Sequence, residues 1–131
     1  MIDPTVQYLL EQAIDTPTKL QLLLMFFENP RLEITPDKMA ERCCRDIWSV
    51  MQALHELAED GILRVGTCIG VGDPFYSYVP RREYLEPIRQ LMHAYDDPLE
   101  RDCIQRTIRD LASYAPFRRD RTWESPFAAV S

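Results

Sequence analysis

Apolar residues recur at helical spacing along most of this chain and alternate over two short stretches. Proline, glycine and small polar residues separate the periods. Val6, Leu9, Leu10 and Ala13 behind Pro4 predict a leading helix within residues 1–15. Thr16-Pro17 is a start signal, a hydroxyl to cap free N–H groups followed by a ring suited to the first helical position. The helix it opens is apolar nearly all round (Leu20, Leu22, Leu23, Leu24, Met25, Phe26, Phe27) and stops before Pro30. A helix of that kind is predicted to be central and buried. Asn29 to Ile34 reads as a connector. Thr35-Pro36 then repeats the start signal, and Met39, Ala40 and Cys43 form one stripe opposite Asp37, Lys38, Glu41 and Arg42.

A turn is predicted around Cys43 to Asp46, followed by a helix to about Asp60 that Gly61 ends. Ile47, Val50, Leu54, Leu57 and Ala58 should face the core. Arg45, Asp46, Trp48, Ser49, Gln52, Ala53 and Glu56 fall on or near the outward side. Ile62 to Val65 and Phe75 to Val79 read as strands joined by Thr67 to Pro74, where Gly70, Gly72 and Asp73-Pro74 mark the turn. Tyr76 and Tyr78 share one face of the second strand.

Leu85, Ile88, Leu91, Met92 and Tyr95 restore a helical stripe over residues 81–95, with regular helix expected from Glu86, or a kink there, because of Pro87. Asp97-Pro98-Leu99-Glu100 signals a last helix start. That helix turns Leu99, Cys103, Ile104, Ile108, Leu111 and Tyr114 inward and ends at Pro116. The tail has no period, yet Phe117, Trp123 and Phe127 predict docking on the domain or on a partner subunit. The expected fold class is mainly α with a small β-hairpin. The expected organisation is one domain: an N-terminal helix at 1–15, a core at 16–80, a helical extension at 81–115 and an irregular tail at 116–131.

Length and composition narrow the class further. At 131 residues and 46% hydrophobic content the chain suits a single globular core. Leu20 to Phe27 is too short to span a bilayer, and the N-terminus lacks a basic region with a cleavage site, so a cytoplasmic protein is expected. Cys43, Cys44, Cys68 and Cys103 include no Cys-x-x-Cys pair, and His55 and His93 do not complete a ligand set, so buried or free thiols are expected over a metal site. His55-Glu56 begins like His-Glu-x-x-His, but Glu59 stands where the second histidine belongs. No phosphate-binding G-x-x-x-x-G-K-[ST] run exists. An enzyme and a cofactor are therefore not expected.

Leu54-His-Glu-Leu-Ala-Glu-Asp-Gly-Ile-Leu63, with Thr35-Pro36 and Met39-Ala40 before it, resembles the L-x-x-L-x-x-x-G-[LI]-[LIV] run of winged helix-turn-helix domains in bacterial transcriptional regulators. The resemblance covers residues 16–80. Leu91-Met-His-Ala-Tyr95 and Arg101-Asp-Cys-Ile-Gln-Arg-Thr-Ile108 look like the helical extension of small bacterial winged-helix proteins of unassigned function. The resemblance implies a winged core with flanking helices and a recognition helix at about 46–60. It also implies DNA binding, with Arg45, Ser49 and Gln52 nearest the bases and Lys38 and Arg42 on phosphates. The extension implies a homodimer through Leu85, Ile88, Leu91, Met92, Tyr95, Ile104, Ile108 and Leu111.

Charge changes that picture. Residues 1–60 hold 5 basic and 11 acidic side chains, and residues 61–131 hold 10 of each, so the whole net charge of −6 lies in the first part. DNA affinity rests on cations that neutralise phosphates. The wing, Gly66 to Pro74, has no Lys or Arg, and the outward side of the recognition helix offers Arg45 beside Trp48, Asp46 and Glu56. Exposed tryptophan marks protein interfaces. The alternative is therefore a protein-interaction module that does not bind DNA and holds its partner through Trp48, Ile69 and Val71. A small-molecule effector site lined by Tyr76, Tyr78, Tyr95 and His93 is a further expectation, behind plain aromatic packing.

Overall fold

The computed structural model describes residues 2–67 and 74–113. The elements run α1 (Pro4–Gln12), α2 (Pro17–Glu28), β1 (Glu33–Ile34), α3 (Pro36–Cys43), α4 (Ile47–Glu59), β2 (Leu63–Thr67), β3 (Pro74–Tyr78), α5 (Arg82–Tyr95) and α6 (98–113). The protein is thus mainly helical with a small three-stranded antiparallel sheet. Among the described residues no helix is long and apolar enough to cross a membrane.

Among the described residues every helix but α5, which begins after Arg81 without a side-chain cap, starts where a short polar side chain meets a proline or an apolar run. The Asp3 carboxylate accepts the Thr5 N–H at 2.8 Å, the Thr16 hydroxyl the Lys19 N–H at 3.2 Å, and the Asp46 carboxylate the Ser49 N–H at 2.9 Å. Thr35 holds the Lys38 N–H at 3.5 Å, and Asp97 the Leu99 N–H at 3.0 Å. These bonds satisfy donors that the first helical turn leaves without a backbone partner. Gly61 follows α4 with φ of +90°, a conformation that favours glycine, and its carbonyl accepts the Arg81 N–H at 2.8 Å. That turn and that bond tie the end of α4 to the start of α5.

The expected connector from Asn29 to Ile34 contains a strand. Glu33 pairs with Ser77 and Ile34 with Tyr76, so the sheet order is β1-β3-β2 rather than a bare hairpin. Ile34 is buried, and that burial draws the two-residue strand onto the sheet. β2 pairs with β3 from Leu63–Tyr78 to Thr67–Pro74. α5 begins at Arg82, four residues before the expected regular start, and runs through Pro87. Pro87 cannot donate the helical bond to the Glu83 carbonyl, yet it is buried, and packing carries the helix past it.

One core joins these elements. Leu9 and Leu10 of α1, Leu22, Leu23 and Phe26 of α2, Met39 of α3, Leu54 and Leu57 of α4, Ile62 and Ile88 are all buried in it. Each such side chain contributes about 1.5–3 kcal/mol on burial. α6 joins through Ile104 and Ile108, whereas Leu99, expected inward, is 79% exposed. Cys43 is buried, with its Sγ 3.4 Å from the Met25 sulfur, and burial pushes its thiol up from the ordinary range. Cys44 is exposed and Cys103 half-buried, while Cys68 lies outside the described residues. Tyr114 and the tail aromatics Phe117, Trp123 and Phe127 also lie outside them.

Candidate functional site

α3 and α4 are separated by residues 44–46 alone. Cys44 makes the turn in a left-handed conformation, φ 56° and ψ 41°, and its N–H returns to the Ala40 carbonyl. Arg45 donates its N–H to the same carbonyl at 3.3 Å. Asp46 then caps α4. The Ser49 N–H bound to its carboxylate holds that group below the usual carboxylate range. The first turn of α4 is thus presented outward with a fixed negative charge at its head.

Lys38 and Arg42 are exposed on α3, and with Arg45 they stand four and three residues apart on one path into the turn. Lys38 and Arg42 line a groove of about 350 Å³ that also contains Glu33, Glu41 and Phe75. Arg45 is oriented by a bond from its Nε–H to the Gln21 Oε1 at 2.5 Å. The Gln21 amide nitrogen in turn donates to the Cys43 carbonyl at 3.3 Å. Ser49 is half-buried. Gln52 is exposed but donates to the Glu56 Oε2 at 3.1 Å.

Trp48 is 75% exposed and Met51, one turn on, is 43% exposed, so the outer side of α4 carries an apolar pair. Ile69 and Val71 lie outside the described residues. Two residues expected outward are not. Ala53 is buried, because it falls beside Leu54 and Leu57 on the core side. Glu56 turns inward to a partner that periodicity did not reveal.

That partner is Lys19, 1% exposed, whose ammonium lies 2.7 Å from the Asp15 carboxylate and 2.5 Å from that of Glu56. A buried ammonium requires paired charge and hydrogen bonds. The available signal was Asp15 four residues before Lys19 at the head of an apolar helix. The third member, Glu56, comes from another element.

The residues expected at a dimer interface divide by burial. Ile88, Leu91, Ile104 and Ile108 sit inside the chain's own core, so the stripes they form pack within one copy. Met92, Tyr95 and Leu111 are half-buried against that core, and Leu85 is 52% exposed. The aromatic effector set also divides. Tyr76 is buried and Tyr78 half-buried. His93 lines a cleft with Asp3, Arg89 and Glu100. Tyr95 lines a different cleft, beside α2 and α6.

A scan against protein-family models, a search of curated proteins and a search of solved structures each found no match to the chain.

Proposed function

We propose that this chain is a winged helix-turn-helix protein that binds double-stranded DNA as a transcriptional regulator. The order α2, β1, α3, α4, β2, β3, with a three-residue turn before α4, supports the architecture. The observation that carries the function is the row of exposed cations, Lys38, Arg42 and Arg45, leading into the head of α4. Docked in a major groove, α4 brings Arg45 and Ser49 toward base edges, while Lys38 and Arg42 meet phosphates. Gln52 reads a base only after releasing Glu56. Such a role places the chain in the cytoplasm.

The test is a titration of random duplex DNA at low salt, followed by anisotropy. Two neutralised phosphates give a fall of log affinity against log salt with slope of about −1.8. Arg45→Ala is expected to weaken binding, and no binding at low salt removes the proposal.

A protein partner is the second candidate, favoured by the exposed Trp48–Met51 pair beside the charged Asp46. Desolvating a tryptophan is characteristic of protein contact. In that case DNA binding is absent at low salt. Pairing of two copies through α5 and α6 falls to Leu85, Met92, Tyr95 and Leu111. A dimer mass in sedimentation that Leu85→Asp does not change removes Leu85 from the interface.

A further inference from the structure

We propose that the cleft between α2, α6 and the α3–α4 turn binds a small organic acid with an apolar body, held by Arg45 and Arg109. The cleft measures about 420 Å³. Leu20 and Leu24 of α2 and Ile108 of α6 give it an apolar wall, with Gln21, Arg45 and Arg109 among its polar lining. Ligand pockets commonly combine such a wall with a few convergent polar groups.

Both guanidiniums belong to exposed residues, and among the described residues neither makes an ion pair. By contrast, Arg89 of α5 and Arg106 of α6 lie 2.6 and 2.8 Å from the carboxylates of Glu86 and Asp102. Gln21 orients Arg45 through its Nε, and a guanidinium carries further N–H donors that remain available to a carboxylate. Also in the lining, the Tyr95 hydroxyl accepts from Gln105 at 2.9 Å. Two cations lining a cleft with an apolar wall exclude a neutral hydrocarbon as the best-fitting ligand and disfavour a bare inorganic anion. They suit a carboxylate attached to a chain or ring, because charge-assisted bonds to Arg fix the head while the wall removes the body from water.

The inference does not rest on DNA binding, and its test contains no DNA. The full chain is titrated calorimetrically with octanoate, with the uncharged octanamide and with inorganic phosphate. Octanoate is expected to bind, and Arg45→Gln and Arg109→Gln are each expected to weaken it by about tenfold, equivalent to roughly 1.4 kcal/mol. Octanamide and phosphate are expected to bind far more weakly than octanoate. Unchanged thermal melting of both variants shows that the fold is intact, as their exposure predicts. Failure of octanoate to bind at millimolar concentration overturns the proposal. Equal binding of octanamide or phosphate overturns it too, as does octanoate affinity that neither substitution alters.

Discussion

Lys19 of α2 and Glu56 of α4 meet at 2.5 Å between nitrogen and oxygen, both screened from solvent. Glu56 uses its other oxygen to hold Gln52, so one carboxylate links the buried ammonium to the outer side of α4. Asp15 completes the group from the loop between α1 and α2. This cluster ties α4 to the central helix through Glu56.

Removing the cation is expected to be costly. Lys19→Met leaves two carboxylates facing one another in a buried site, and a loss of about 3–5 kcal/mol is expected. Urea denaturation measures it. A loss below about 1 kcal/mol shows instead that the carboxylates find other partners easily.

Cys44 and Gly61, both left-handed, predict opposite effects. Cys44→Gly relieves a conformation that costs an L-residue about 1–2 kcal/mol, and a net gain of roughly 0.5–1 kcal/mol is expected after the unfolded-chain entropy of glycine is counted. Gly61→Ala imposes that strain and drives a methyl group into the Arg81 side chain, so a loss of about 1–3 kcal/mol is expected. Thermal melts of the two variants should move in opposite directions.

Alkaline pH should destabilise the fold. Burial raises the Cys43 thiol above its ordinary value of 9.0 and the Tyr76, Tyr78 and Tyr84 hydroxyls above theirs of 10.0. The unfolded chain therefore releases these protons first. Between the ordinary and the raised values the folded state binds more protons, and stability falls as pH rises. Melting temperature followed across that range checks the sign. Iodoacetamide should label Cys43 slowly in the native protein and rapidly after unfolding.

Trp48 is expected to be nearly silent in stability. Its ring contributes little to the core at 75% exposure, so Trp48→Ala should change unfolding free energy by no more than about 0.5 kcal/mol. A larger loss, measured in urea, shows that the side chain packs against the chain itself and removes it as a free contact surface.

Much of the scaffold was legible because its signals are local. Thr16-Pro17, Thr35-Pro36 and Asp97-Pro98 each mark a helix start, since capping and fixed φ act within one turn. The stripe Val50, Leu54, Leu57 was legible from spacing alone. β1 was not, because two residues have no period and Ile34 becomes a strand only by pairing with Tyr76. Pro87 misled for the reverse reason, since a local penalty was outweighed by packing that its neighbours in sequence do not reveal.

The candidate site follows the same division. That Arg45, Trp48 and Gln52 lie toward the outside of α4 was set by the chain itself, through helical period and the cap at Asp46. The Gln52–Glu56 bond is also local, one turn within α4, whereas tertiary structure decided that Gln21 holds Arg45 and that solvent covers Trp48. The stripes of α5 and α6 were likewise visible as amphipathic faces, but periodicity cannot say what covers a face. Packing settled that Ile88, Leu91, Ile104 and Ile108 meet the chain's own core. The buried ammonium belongs wholly to the second class, because Glu56 reaches Lys19 from 37 residues away in sequence, and charges that distant pair only when the fold brings them together and removes the water between them.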